Sequence, residues 1–194
     1  MDTLNTFEKV RDIFYSGGHA FRGDRELVLE IAFLVDEKYL ALETVTIASK
    51  KEYLDLFEKS AKLSHADEAS GGSLEHMALK VLTGKYLQKL GHRKIRYEHP
   101  FCGYVPDVMS GDSSVIGECG QTQNPEKMLT YFRQGNVREC IQIPYPNQDG
   151  DTILGYRFTA SSGLNDFLTF IEAEKNTQIK NILRQRREKN DSGG

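Results

Sequence analysis

The chain has no Cys-x-x-Cys pair, and its three cysteines (Cys102, Cys119 and Cys140) are widely spaced. That argues against a zinc or iron–sulfur site. An odd, scattered set also argues against a disulfide framework and points to reduced thiols in a cytoplasmic, intracellular protein. Excess positive charge is missing too. With a formal net charge of −3, any nucleic-acid binding has to come from a local basic patch. No apolar run is long enough for a membrane span, and the first residues lack a signal-peptide pattern, so no membrane association is expected. No internal repeat is visible. What is present, 39% hydrophobic and 27% charged residues over 194 positions, suits an ordinary globular domain with a real core.

The most informative stretch runs from Tyr104 to Gln121. Two apolar runs flank Ser110-Gly111-Asp112-Ser113, which predicts a β-hairpin. With Ser110 opposite Ser113, Asp107 faces Ile116, and Glu118 lies on the same face as its diagonal neighbour. Diagonal partners are roughly 7–8 Å apart, so the two side chains can converge on one small object. Two converging carboxylates repel each other unless a cation lies between them, and oxygen ligands suit a divalent ion. On the opposite face Tyr104, Val108, Val115 and Cys119 are expected in a core. An alternative is a hairpin whose acids are simply solvated. Against it, Glu118 sits in the apolar run Val-Ile-Gly-Glu-Cys-Gly, and Asp107 follows a proline.

Around this hairpin the chain divides into four stretches. Residues 1–63 read as an N-terminal α+β unit, with strand-like runs at 27–35 and 39–47 joined as a hairpin and a helix over 50–63. A helical reading of 25–35 stays open. Residues 64–72 are polar, contain two glycines and read as a loop. Residues 73–160 read as a core. A helix opens at Ser73 and stops at Gly91. Strands follow at 94–98, 103–109 and 114–119, then a helix at 125–134 and strands at 137–143 and 152–158. Residues 161–194 carry a long helix and a frayed tail. The order helix, strand, strand, strand, helix, strand predicts a mixed α/β core. Glu75 heads the stripe Glu75, Leu79, Leu82, Tyr86, Leu90. It is either turned toward the sheet or exposed in the first turn, where the helix dipole favours an acid.

An acid on the first core helix, Pro106-Asp107-Val108 on one strand and Glu118-Cys119-Gly120 on the next resemble the PD-(D/E)XK nuclease superfamily. Together with Glu75-His76-x-x-Leu79-Lys80, Tyr86-Leu87, Gly91 and Glu98, the block is similar to RecB-like and Holliday-junction-resolvase-like members, over roughly Ser73 to Pro146. The resemblance implies a restriction-endonuclease-like core, a central mixed β-sheet flanked by helices, carrying the N-terminal α+β appendage. It implies a nuclease that hydrolyses DNA phosphodiester bonds with Mg²⁺ or Mn²⁺, and a homodimer by analogy. Asp107 and Glu118 would bind the metal, with the backbone carbonyl of Cys119 a further ligand and Glu75 completing the site. The chain departs from the pattern two residues after Glu118, where the family usually has a lysine and Gly120 stands. Gln121 is the nearest polar residue to hold the attacking water, and Lys127 is the nearest cation.

Phosphate contacts need cations on the face of the acids. Lys80, Lys85 and Lys89 lie on the first core helix and His92, Arg93, Lys94 and Arg96 follow it. His76, Lys80, Arg93 and Lys127 are the candidate nucleic-acid contacts. The missing lysine keeps a second expectation open, a nuclease-like protein that binds nucleic acid or supports an assembly without cutting.

Overall fold

The computed structural model describes residues 3–15, 25–63, 73–120, 124–134, 137–146 and 149–191. The loop expected at 64–72 lies outside the described residues, as does Gln121. Two compact units are present, residues 1–161 and residues 162–194. The second contains α6 (Leu164–Asp191), which reaches into the tail expected to fray from Lys189; residues 192–194 lie outside the described residues. Among the described residues no helix is long and apolar enough to cross a membrane.

The first unit is α/β. Its elements are α1 (Thr3–Tyr15), α2 (Arg25–Asp36), β1 (Leu40–Ser49), α3 (Lys50–Leu63), α4 (Leu74–Lys89), β2 (Arg96–Tyr97), β3 (Val108–Met109), β4 (Val115–Cys119), α5 (Pro125–Gln134), β5 (Glu139–Ile143) and β6 (Thr152–Ala160). The strands form one six-stranded mixed sheet in the order β1-β6-β5-β4-β3-β2. Only β4 and β5 run parallel, and α5 makes the crossover that a parallel pair requires.

The strand–strand hairpin expected at 27–47 is corrected. Residues 25–36 form α2, with Val28, Ile31, Ala32, Leu34 and Val35 buried at helical spacing. The partner of β1 is β6, paired antiparallel from Leu40↔Ala160 to Ser49↔Thr152, so the N-terminal residues supply an edge of the common sheet. A short apolar run fits either period, and here burial of one helical face decided it.

One face of the sheet packs on α3 and α4. There Val108, Val115, Cys119, Ile141 and Ile143 meet Ala78, Leu79, Leu82 and Leu87. Tyr104 does not join them as expected. Its ring lies edge-on to Tyr131 of α5 at 6.1 Å, because the chain before Asp107 is not a strand and strand alternation does not reach it. α4 begins as read: Ser73 is the N-cap and accepts from His76 N.

The β3–β4 hairpin forms, in a different register. Val108 pairs with Gly117 and Met109 with Ile116, so the loop is Gly111-Asp112-Ser113-Ser114 and Asp107 falls directly opposite Glu118. Asp112 explains the longer loop. One carboxylate oxygen accepts from Ser110 Oγ at 2.6 Å, Ser114 Oγ at 2.8 Å and Ser114 N at 3.1 Å. Ser113 takes the left-handed conformation at φ 60°. These bonds hold the Asp112 carboxyl down at about 2. A depressed carboxyl stabilises the fold above its ordinary pKa of 3.8, and that contribution is lost as pH falls through about 2. Asp112→Ala is expected to lower stability by about 1–2 kcal/mol at pH 7, with the difference vanishing toward pH 2, measured by urea denaturation.

Candidate functional site

Asp107 lies in a bend between buried Pro106 and the start of β3. Its Oδ2 accepts from the backbone N–H of Cys119 at 2.7 Å, which ties it across the hairpin. Its Oδ1 turns to α4, 3.0 Å from His76 Nε2 and 3.5 Å from Lys80 Nζ. Lys80 is itself buried and donates to Glu98 at 2.5 Å. Burial opposes the Lys80 charge, but Glu98 and Asp107 outweigh it and raise the ammonium's pKa. Glu98 holds this position in a left-handed conformation, φ 48°, with its N–H on the carbonyl of Asp107 at 3.2 Å.

Glu118 points the other way, toward α5. Only 3% exposed, it receives Lys127 Nζ on Oε2 at 2.7 Å and Tyr131 OH on Oε1 at 3.0 Å. Lys127 and Tyr131 are four residues apart and therefore on one helix face. The Lys127 ammonium also donates to the carbonyl of Val105 at 3.2 Å. Burial pushes the Glu118 carboxyl up to about 7; the Asp107 charge adds to this, while Lys127 and Tyr131 oppose it. Burial, followed by the Glu118 charge, pushes the Tyr131 phenol well above its ordinary range.

Asp107 just before β3 and Glu118 on β4 thus each carry a lysine of a different helix, Lys80 of α4 and Lys127 of α5. Their donor set is carboxylate oxygen, which suits a hard divalent ion. A carboxyl whose proton affinity is raised by burial and by its neighbour is stabilised in its charged form by a nearby cation. Asp107, Glu118 and the Cys119 carbonyl offer oxygen donors of the kind such an ion takes, although the two carboxylates turn to different helices. The Cys119 thiol does not take part: it is buried, faces Thr83 Oγ1 at 3.4 Å, and burial pushes its pKa far up.

The remaining expectations separate. Glu75 is exposed in the first turn of α4, and among the described residues no three His, Cys, Asp or Glu side chains gather as a metal-binding group. His76 and Lys80 reach Asp107, although Lys80 is occupied by its carboxylate partners rather than presented to solvent. Arg93 is exposed, and its carbonyl accepts from Gly111 at the hairpin tip. That is the far end of the hairpin, four residues or about 13 Å along the strand from Asp107. Lys127 is brought to Glu118. Tyr131 was missed, although its i, i+4 spacing from Lys127 was a usable signal; Glu98 stood in the block that carries the resemblance but was given no role at the site.

At Gly120 the backbone is left-handed, φ 81°, and an added Cβ would come within 2.9 Å of the Tyr145 ring. Both features disfavour a side chain here. Comparison with protein-family models, with curated proteins and with solved structures finds no match.

Proposed function

We propose that this chain is a divalent-metal-dependent nuclease of restriction-endonuclease-like fold that hydrolyses DNA phosphodiester bonds, in line with its resemblance to PD-(D/E)XK nucleases. The observation that carries the reading is that Asp107, just before β3, and Glu118 of β4 lie close enough for the Asp107 charge to act on the Glu118 carboxyl, with the Lys127 ammonium 2.7 Å from Glu118. Bound by Asp107, Glu118 and the Cys119 carbonyl, Mg²⁺ or Mn²⁺ would supply Lewis acidity toward a phosphate oxygen and a lowered pKa for a bound water. The chain's own residues do the rest. Tyr131 and Lys127 keep Glu118 charged and oriented, His76 and the Cys119 N–H orient Asp107, and Lys127 supplies positive charge for the phosphate as negative charge develops. Lys127 takes the part of the lysine that Gly120 cannot provide, since the family's lysine position is here a left-handed backbone against Tyr145.

On this reading Gly120→Lys does not improve the enzyme. It is expected to destabilise the fold by at least about 1 kcal/mol and to lower cleavage, because the strained backbone shifts the neighbouring Cys119 and Glu118. Thermal unfolding and a cleavage assay on the same preparation check both.

A second reading, a protein that binds nucleic acid or supports an assembly without cutting, is favoured by one observation: Lys80 and Lys127 already partner the two acids. Incubation of purified protein with branched, single-stranded and duplex DNA, with Mg²⁺, Mn²⁺ or EDTA, separates the two. Metal-dependent cutting is expected; salt-sensitive binding with no cutting under any metal selects the second reading.

A further inference from the structure

β5 reads Glu-Cys-Ile-Gln-Ile, and among its buried apolar residues stands Gln142, only 4% exposed. Its Oε1 is buried with no hydrogen-bond partner in the protein. A buried amide oxygen left unpaired destabilises the fold, and a methionine would fill the same space without that penalty. Packing therefore does not account for the amide.

Its neighbours do. Gln142 is in register with Glu118 of β4 and with Tyr156 of β6, and Tyr156 with Thr44 of β1. In-register residues of adjacent strands share a face, so Glu118, Gln142, Tyr156 and Thr44 form one polar row across four strands. The neighbouring row, Ile116, Cys140, Phe158 and Leu42, is apolar. The polar row ends in a cleft of about 690 Å³ that Thr44 and Tyr156 line, together with the Tyr145 that lies against Gly120. Glu118 retains accepting capacity: a carboxylate offers about four lone-pair sites, and Lys127 and Tyr131 engage two.

We propose that Gln142 is a positioning residue of the carboxylate site, its amide oxygen accepting a hydrogen bond from a water shared with Glu118. The ligand class is water, free or in the shell of a divalent cation. The polar row gives that water a path from the cleft. This assigns to Gln142 the water-holding part expected of Gln121, and it rests on the nuclease reading for its catalytic consequence.

Gln142→Met tests it, with three readouts on the full chain: Tm of the metal-free protein, Mn²⁺ affinity by calorimetry without DNA, and kcat and KM for metal-dependent DNA cleavage. Because packing does not require the amide and only a water holds it, the metal-free Tm is expected to stay within about 2 °C of wild type. Losing a group that orients bound water is expected to weaken Mn²⁺ binding about 10-fold, and to lower kcat about 10²-fold with KM unchanged. A variant with wild-type Mn²⁺ affinity and wild-type kcat overturns the proposal and leaves the nuclease reading standing. A Tm that falls along with kcat also overturns it, because that is the signature of a purely structural amide. If the wild type binds Mn²⁺ but does not cut DNA, the nuclease reading fails, and the Mn²⁺ affinity of the variant still decides the role of Gln142. If the wild type binds no Mn²⁺ at all, both fail.

Discussion

Glu118→Gln should abolish metal-dependent cleavage, with a loss of at least about 10³-fold, while leaving a folded protein. The amide keeps the shape of the carboxylate and can still accept from Tyr131, so the buried contact with α5 survives. What it lacks is the charge that a metal ligand needs. Asp107→Asn should be equally inactive. The same Glu118 variant carries a pH signature in the metal-free protein. Because the folded carboxyl is raised from 4.5 to about 7, the folded state binds the proton more tightly than the unfolded chain. The contribution of Glu118 to stability is therefore fully present below about pH 4.5, declines as pH rises to about 7, and is flat above. Glu118→Gln should gain stability relative to wild type as pH rises from about 4.5 to about 7, read by urea denaturation at each pH. A folded Glu118→Gln protein that cuts at the wild-type rate would remove Glu118 from the site.

Lys127→Met should lower kcat about 10²–10³-fold with little change in KM for DNA or in its salt dependence. The ammonium has 16% side-chain exposure and is fixed between Glu118 and the Val105 carbonyl, so on the proposed reading it would act on the reacting phosphate rather than on the DNA backbone at large. Its loss also removes the charge that holds Glu118 down, so the Glu118 carboxyl should titrate above its position near 7. Carboxyl-selective NMR of the metal-free protein reads that shift. Weaker DNA affinity and a salt slope reduced by about one, at unchanged kcat, would instead make Lys127 a backbone contact.

Much of this was visible in the sequence wherever a local rule agreed with the tertiary packing. Ser73 and Gly91 delimited α4, Pro125 placed α5, and the apolar run around Glu118 marked a buried strand. The hairpin register was two residues off because turn-residue identity does not report that Asp112 binds three donors at once. A two-residue shift keeps strand side chains on the same face, yet Asp107, just outside β3, turns to α4 while Glu118 turns to α5. Residues 27–35 misled because nine apolar-rich positions satisfy both periods, and burial against β1 and α5 is a long-range fact. Lys80 illustrates another limit. As a sequence feature it belongs to a basic helix, yet the fold wraps it with Glu98 and Asp107. Gln142 was in plain view as a polar residue in an apolar strand, but its significance depends on the register between β4 and β5.

The most direct measurement is a calorimetric titration of the metal-free wild-type protein with Mn²⁺, repeated on Asp107→Asn and Glu118→Gln. Saturable binding by the wild type that disappears in both variants is the predicted result. Binding that is absent from the wild type, or that persists unchanged in both variants, would contradict a metal-dependent nuclease centred on these two carboxylates.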